Sequence, residues 1–271
     1  MKNKSVSHMS HTFVICAYQT SPYLEDCIRS IKAQTRPCGL MISTSTPNDA
    51  IREMAEKYDI PVIENPEKKG IGYDFDFALQ TGIQSGADLV TVAHQDDCYA
   101  PGFSAEVARA WREDTLIAFT DYREIDAEGA TIPENRNLKI KKILLFPMRF
   151  RALQPFRPVR RTSLAFGNGI CCPAVTFAAK KMPKKLFAGK MKSNVDWSAW
   201  EILSRKKGSF TYIPKALMSH RIHEEATTNK MIYEHKRTAE DLAMFRRFWP
   251  ECIAKCLCRF YSKAEDTVTK R

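Results

Sequence analysis

No stretch of about eighteen consecutive apolar residues occurs in the 271-residue chain, which argues against a simple membrane-spanning helix. The opening MKNKSVSHMSHTFVICAY lacks the apolar core and small-residue cleavage site of a signal peptide, so a cytoplasmic location is expected. The nine cysteines are odd in number and contain no C-x-x-C pair, which excludes a fully paired disulfide framework. Cys252, Cys256 and Cys258 cluster near the C-terminus, but no His or Cys pair at finger spacing completes a zinc site, and the cysteines read as reduced, mostly buried small hydrophobes. Glycine is scarce as well, at 11 residues. The short GIG at Gly70 to Gly72 follows a third strand-like run and not the first, which argues against a dinucleotide fingerprint. Acid is outnumbered by base: 31 Asp and Glu against 42 Lys and Arg give a formal charge of +11 and imply an anionic partner.

That imbalance is concentrated. Between Arg136 and Arg161, RNLKIKKILLFPMRFRALQPFRPVRR holds nine basic residues and no acid, interleaved with Leu138, Ile140, Ile143, Phe146, Phe150 and Phe156. The pattern suits a surface that is both anionic and oily, such as lipid headgroups over acyl chains; a solvated basic loop with a few core anchors is the plainer reading. Pro147, Pro155 and Pro158 predict a short helix followed by an irregular arm.

What is present elsewhere is alternation. TFVICAY (12–18) reads as a strand, and SPYLEDCIRSIKAQT as a helix capped by Ser21 with Leu24, Ile28 and Ile31 at helical spacing. GLMISTS (39–45), PNDAIREMAEKYD, IPVIEN and GIGYDFDFALQTGIQSG continue the series as strand, helix, strand and helix, and the apolar run Leu89 to Ala93 is the next strand. Strands alternating with helices of this length predict an α/β fold with a mostly parallel central sheet flanked by helices. Further on, GNGICCPAVTFAAKKM reads as loop plus helix, NVDWSAWEILSRKK as a helix, SFTYIP and ALMSHRIH as two strands, and the C-terminal region as helical. In the tail, Ile253, Cys256, Leu257 and Phe260 form an apolar face.

Ligands of such sheets sit outside the carboxyl ends of the strands. The stretch AHQDDCYAPG (93–102) places Asp96 and Asp97 at that edge. Three uses compete: capping the following helix, a proton-sharing dyad, disfavoured because neighbours at a strand end point apart, or hard oxygen ligation of Mn2+ or Mg2+. Their placement favours the metal.

HQDDCYAPG, with FVICAYQTSPYLEDCIRSIKAQT before it and NVDW and HRIHEEATT after it, resembles the inverting glycosyltransferases of family 2, which have the GT-A fold. The resemblance runs from about Thr12 to Thr228 and implies a GT-A domain over 1–228 (nucleotide-binding half about 12–122, acceptor half about 123–228) with a helical extension over 229–271. It also implies transfer of a sugar from a nucleotide sugar, usually a UDP-sugar, to an acceptor hydroxyl. Asp97 and His223 would hold the divalent cation; Ala17, Tyr18, Ser45, Tyr73, Asp76, Gln95, Asp96 and Arg221 would line the donor site; Asp196 would be the general base. Asp196 can equally serve the start of its helix, where Ser193 and Asn194 are rival caps, and His220 is expected to point away from the site if its segment is extended. The chain departs from the family pattern in four places: Gln19, Thr20 and Ser21 stand in the first loop where Asn and Glu are common, His94 stands where another acid is common, Ser43, Thr44 and Ser45 replace an acidic run after the second strand, and Asp76 replaces an asparagine.

The acceptor implied is a glycan or lipid-linked glycan in capsule or other surface polysaccharide synthesis, handled by a protein attached peripherally to the inner face of the plasma membrane. Nucleic acid is not an expected partner, since only the charge speaks for it. A nucleotidyltransferase would carry a glycine-rich basic loop after the first strand, which AYQTSPY lacks; a catalytically altered binding protein remains the other alternative.

Overall fold

The computed structural model describes residues 9–223 and 236–266. It opens with β1 (His11–Ala17), α1 (Leu24–Lys32), β2 (Gly39–Thr44), α2 (Asp49–Tyr58), β3 (Val62–Glu64), α3 (Ile71–Gln84) and β4 (Leu89–His94). Leu24, Cys27, Ile28 and Ile31 form the buried stripe of α1. The helix starts two residues later than Pro22 suggests, because the Ser21 hydroxyl accepts the Tyr23 N–H and makes a turn there. Asn48 caps α2 by accepting the Ile51 N–H at 3.0 Å.

The remaining elements are β5 (Cys98–Tyr99), α4 (Phe103–Ala110), β6 (Thr115–Ile125), α5 (Arg136–Leu145), α6 (Arg157–Ala165), β7 (Val175–Ala178), α7 (Val195–Ser204), β8 (Ser209–Arg221), α8 (Lys236–Phe245) and α9 (Glu251–Asp266). All the strands join one eight-stranded sheet in the order β3-β2-β1-β4-β7-β6-β8-β5. The first four are parallel, as expected of βαβ units. β7 then runs antiparallel to both β4 and β6, while β6 and β8 are parallel to each other. This mixed α/β sheet with helices about it is the expected fold class, and its apolar residues fall into two clusters, one centred on Phe177 and Trp200 and the other on Phe13 and Phe103.

Three local expectations change. AVTFAA is strand β7 and not helix: all four of its residues are buried on both faces, and a short continuous apolar run carries no period that separates strand from helix. SFTYIP and ALMSHRIH are one strand, β8, because Pro214 and Lys215 bulge outward where the partner of β6 jumps from Ile213 to Ala216. The basic arm is more regular than its prolines suggest: after α5 and a short 3₁₀ turn it re-forms as α6, with Pro158 in the first turn, where no N–H is needed.

The C-terminal helices pack on the core through Met244, Phe245, Ala254 and Cys258. The packed face of α9 is offset from the one read in the sequence, since Ile253 and Phe260 are exposed. The expected division at 228/229 lies outside the described residues, as does EEATT. Among the described residues no helix is long and apolar enough to cross a membrane.

Candidate functional site

Asp97 lies where β4 ends and the two-residue strand β5 begins, and it is fully buried. β5 pairs antiparallel with β8, Cys98 opposite Ser219, so Asp97 falls opposite His220. Directly opposed residues share a face. Accordingly, His220 Nδ1 donates to Asp97 Oδ1 at 3.0 Å, and the backbone N–H of Arg221 donates to the same oxygen at 3.0 Å. His220 therefore turns into the site, contrary to the expectation; alternation is kept, and the neighbouring Arg221 is the side chain that turns the other way.

The second oxygen of Asp97, Oδ2, accepts no hydrogen bond although it is buried. His94 Nδ1 lies 3.8 Å from it, and His94 Nε2 is likewise buried without a partner. Buried polar atoms in native proteins are nearly always satisfied, so two orphans side by side point to an absent ligand. His94, Asp96 and Asp97 each offer one ligand atom, all within 4.8 Å of one another, and the arrangement suits a divalent cation.

Asp96 Oδ2 accepts from His223 Nε2 at 3.0 Å, which makes His223 a partner of Asp96 and places it outside that cluster of three. Burial works against charge on Asp96, but the His223 bond and the imidazoles of His94 and His220 outweigh it and hold the carboxyl below its usual range. Burial likewise opposes charge on His220, but Asp97 and then Asp96 prevail, and its pKa rises.

Arg221 is a correction. It is only 2% exposed, and its donors are consumed by Asp96 O, Asp126 O, Ala127 O and Asp26 Oδ2, while its guanidinium stacks over Tyr23 at 4.5 Å. It ties the end of β8 to the loops around it and presents no fork to a phosphate.

Asp196 occupies the first turn of α7. Its Oδ1 accepts the Trp197 N–H and its Oδ2 accepts from Asn168 Nδ2, both at 2.7 Å. Burial pushes its carboxyl above the usual range, and these two bonds only partly offset that. Neither rival cap acts as one: Asn194 makes no side-chain cap bond, and its amide donates to Asp241 instead. Glu240 of α8 holds the segment just before α7, accepting the N–H groups of Lys192, Ser193 and Asn194 at 2.7 to 3.0 Å. Asp196 itself serves the helix start, through its bond from the Trp197 N–H. Burial raises the thiols of Cys171 and Cys172, and the charges of Asp97 and Asp196 add to the effect.

A second group gathers past the ends of β1, β2 and β3. The Gln95 amide closes on both the N–H and the carbonyl of Tyr18, at 3.0 and 2.9 Å, extending the β1–β4 pairing beyond the buried Ala17. Gln95 thus holds Tyr18, whose ring is exposed. Gln19 follows with φ of +54° and donates its N–H to Thr46 Oγ1, joining the loops after β1 and β2. Tyr73 is half-buried, with the Lys69 ammonium over its ring at 5.8 Å. Asp74, on the same helix, accepts from Asn65 Nδ2 at 2.9 Å. Burial lifts its carboxyl above the usual range against the pull of Asn65 and Ser45.

The profile of glycosyl transferase family 2 matches residues 12–181, which spans β1 to β7. The chain belongs to glycosyl transferase family 2. This glycosyltransferase shares its fold with enzymes of known structure. S. aureus TarS (residues 1–349) in complex with UDP-GlcNAc aligns with a TM-score of 0.57 at 14% identity, covering 92% of this chain and 70% of TarS. The mannosyltransferase PcManGT from Pyrobaculum calidifontis in complex with GDP-Man and Mn2+ aligns with 0.57 at 13%, covering 94% and 70%. Glucosyl-3-phosphoglycerate synthase from Mycobacterium tuberculosis with Mn2+, UDP and glucosyl-3-phosphoglycerate gives 0.53 at 14%, covering 81% and 74%. The chain spans 42% of the longer TarS structure. No curated protein matches the sequence significantly.

Within the glycosyltransferase, Asp76 is the second correction. Its buried carboxylate accepts the N–H groups of Leu186, Phe187 and Ala188 at 2.7, 3.0 and 2.8 Å, so it anchors that loop to α3 and offers nothing to a donor. Gly72, one turn earlier, allows the approach: a Cβ there would lie 2.7 Å from the Phe187 carbonyl oxygen. Asp76→Ala leaves three N–H groups without an acceptor and should cost on the order of 3 kcal/mol. A thermal melt reads this as a clear fall in Tm, and an unchanged Tm would contradict the anchoring role.

Proposed function

We propose that this glycosyltransferase moves a sugar from a UDP-sugar to the hydroxyl of a lipid-linked glycan, with inversion, in capsule or other surface polysaccharide synthesis. The observation that carries the reading is the buried, unpartnered Oδ2 of Asp97, grouped with His94 and Asp96 at the end of β4. Asp97, His94 and Asp96 would hold Mn2+ or Mg2+, and His223 and His220 would orient the two carboxylates. Such a cation offsets the charge that builds on the departing diphosphate without any proton transfer. Asp196 accepts the acceptor's hydroxyl proton as that oxygen bonds to the anomeric carbon and the carbon–diphosphate bond breaks on the opposite face. A raised carboxyl pKa makes it the better base. UDP-GlcNAc in TarS and UDP with Mn2+ in the glucosyl-3-phosphoglycerate synthase support the donor class by likeness of fold.

The uracil side of the donor site lacks the acid expected after β2. Asp74, from α3, supplies one: beside Ser45 and Asn65, it is suited to accept an imide N–H. A screen of nucleotide sugars with Mn2+ for thermal stabilisation and donor hydrolysis tests the whole reading, because a bound ligand raises apparent stability. UDP-sugars should stabilise the protein, and Asp74→Ala should weaken UDP by roughly tenfold to a hundredfold. Stabilisation by none of them would refute the reading, and stabilisation without turnover would favour a catalytically altered binding protein.

A further inference from the structure

Helix α5 has two apolar sides, only one of which the fold uses. Leu138 and Leu145 are buried, and between them Lys141 turns inward to donate to the Tyr122 hydroxyl at 2.7 Å, where the Tyr122 ring lies 6.2 Å from that of His220. The inner side therefore borders the acid cluster. On the other side Ile140 and Ile143 are exposed, and the line continues past the helix end through Phe146 and Phe150, whose rings pack edge to face at 5.7 Å. Ile143 is 70% exposed and the two phenylalanines 54% each. Lys139, Arg151 and Arg157 are exposed around the stripe, and no acid occurs between Arg136 and Arg161. The C-terminal helix reaches the same place: Leu144 of α5 and Tyr261 of α9 both lie against Gly167, and Phe260, next to Tyr261, is 68% exposed.

From this we infer that the outer side of α5 and the 146–150 turn is a docking surface for an anionic lipid bilayer, with Ile143, Phe146 and Phe150 entering the headgroup boundary and the surrounding cations meeting lipid phosphates. An aqueous surface gains nothing from a row of large apolar side chains, whereas an interface that is charged outside and oily beneath matches both halves of the pattern. Nucleic acid would match the cations but not Ile140 and Ile143. The inference deepens the proposed function on its acceptor side: the helix that borders the acid cluster inside would rest on the membrane outside, so a lipid-borne hydroxyl meets the site without leaving the bilayer.

The test is co-sedimentation of the full chain with vesicles of phosphatidylcholine plus phosphatidylglycerol, against phosphatidylcholine alone. Binding should be confined to the anionic vesicles and weaken with salt. The Phe146→Ser/Phe150→Ser and Lys139→Gln/Arg151→Gln pairs should each lose binding by on the order of tenfold, with Tm unchanged. Binding needs no catalysis, so Asp97→Asn should sediment like the parent, and a failed donor reading would leave this result standing. Equal binding to neutral vesicles, no binding, or full binding by both double variants would overturn the inference. So would loss of a homodimer, or of retention on single-stranded nucleic acid, as the effect of the phenylalanine substitutions.

Discussion

Asp196→Asn should lower kcat by about a thousandfold or more while leaving the Tm within a degree or two of the parent, since positioned general bases contribute roughly 10²- to 10⁴-fold. The amide keeps an oxygen for the Trp197 N–H or the Asn168 amide, and Glu240 still holds the segment just before α7, so the helix start survives. What is lost is the ability to take a proton. Donor binding and slow donor hydrolysis should persist, and undiminished transfer would remove Asp196 from the mechanism. The same carboxyl sets a pH dependence. Its pKa is raised, chiefly by burial, and the base acts only when ionised, so the acidic limb of kcat should lie above that of an ordinary aspartate. Asn168→Ala removes a hydrogen bond that favours the ionised form. The limb should then move further up in pH, with activity recovered at alkaline pH; a limb that stays in place would show that another group is titrating.

Asp97→Asn is expected to reduce kcat/KM by roughly 10²- to 10³-fold, a loss typical of removing one preorganised charge from a developing anion. The shape is kept: Oδ1 can still accept from His220 Nδ1 and the Arg221 N–H, which hold the end of β8 against β5. The charge on the unpartnered Oδ2 is gone, and with it most of the attraction for a divalent ion. Thermal stabilisation by Mn2+ should fall together with activity in the variant, and neither should return at the Mn2+ concentration that half-saturates the parent. Parent-like activity in Asp97→Asn, together with undiminished stabilisation by Mn2+, would eliminate the cation from this edge of the sheet.

Several site features were legible in the chain because they are local. Asp96 and Asp97 follow a buried strand directly, and a strand end in an open α/β sheet faces the ligand crevice wherever the rest of the fold lies. Asp196 opens a helix, which its own sequence announces. His220 illustrates the opposite case: alternation says only that it and Arg221 face opposite ways, and which of the two faces the acids is fixed by the pairing of β5 with β8. Asp74 and Asp76 show the same limit. Two residues apart on one helix, one meets Asn65 and Ser45 near the strand ends and the other meets the 186–188 loop, and no local pattern tells which is which. Asn168 and Glu240 carried no signal at all, since each acts across a gap of tens of residues.

By itself the sequence determined the alternating α/β order, the parallel half of the sheet, the acid pair at its edge and the concentration of positive charge, because hydrophobic period, turn residues and charge are properties of neighbours along the chain. The tertiary structure alone decided that β7 runs antiparallel into the middle of the sheet, that Arg221 and Asp76 hold backbone, that Glu240 and Asn168 support the start of α7 and its aspartate, and that one side of α5 stays apolar in the open. Each of those depends on which groups meet across distant segments, where burial and hydrogen-bond satisfaction, and not local preference, fix the outcome.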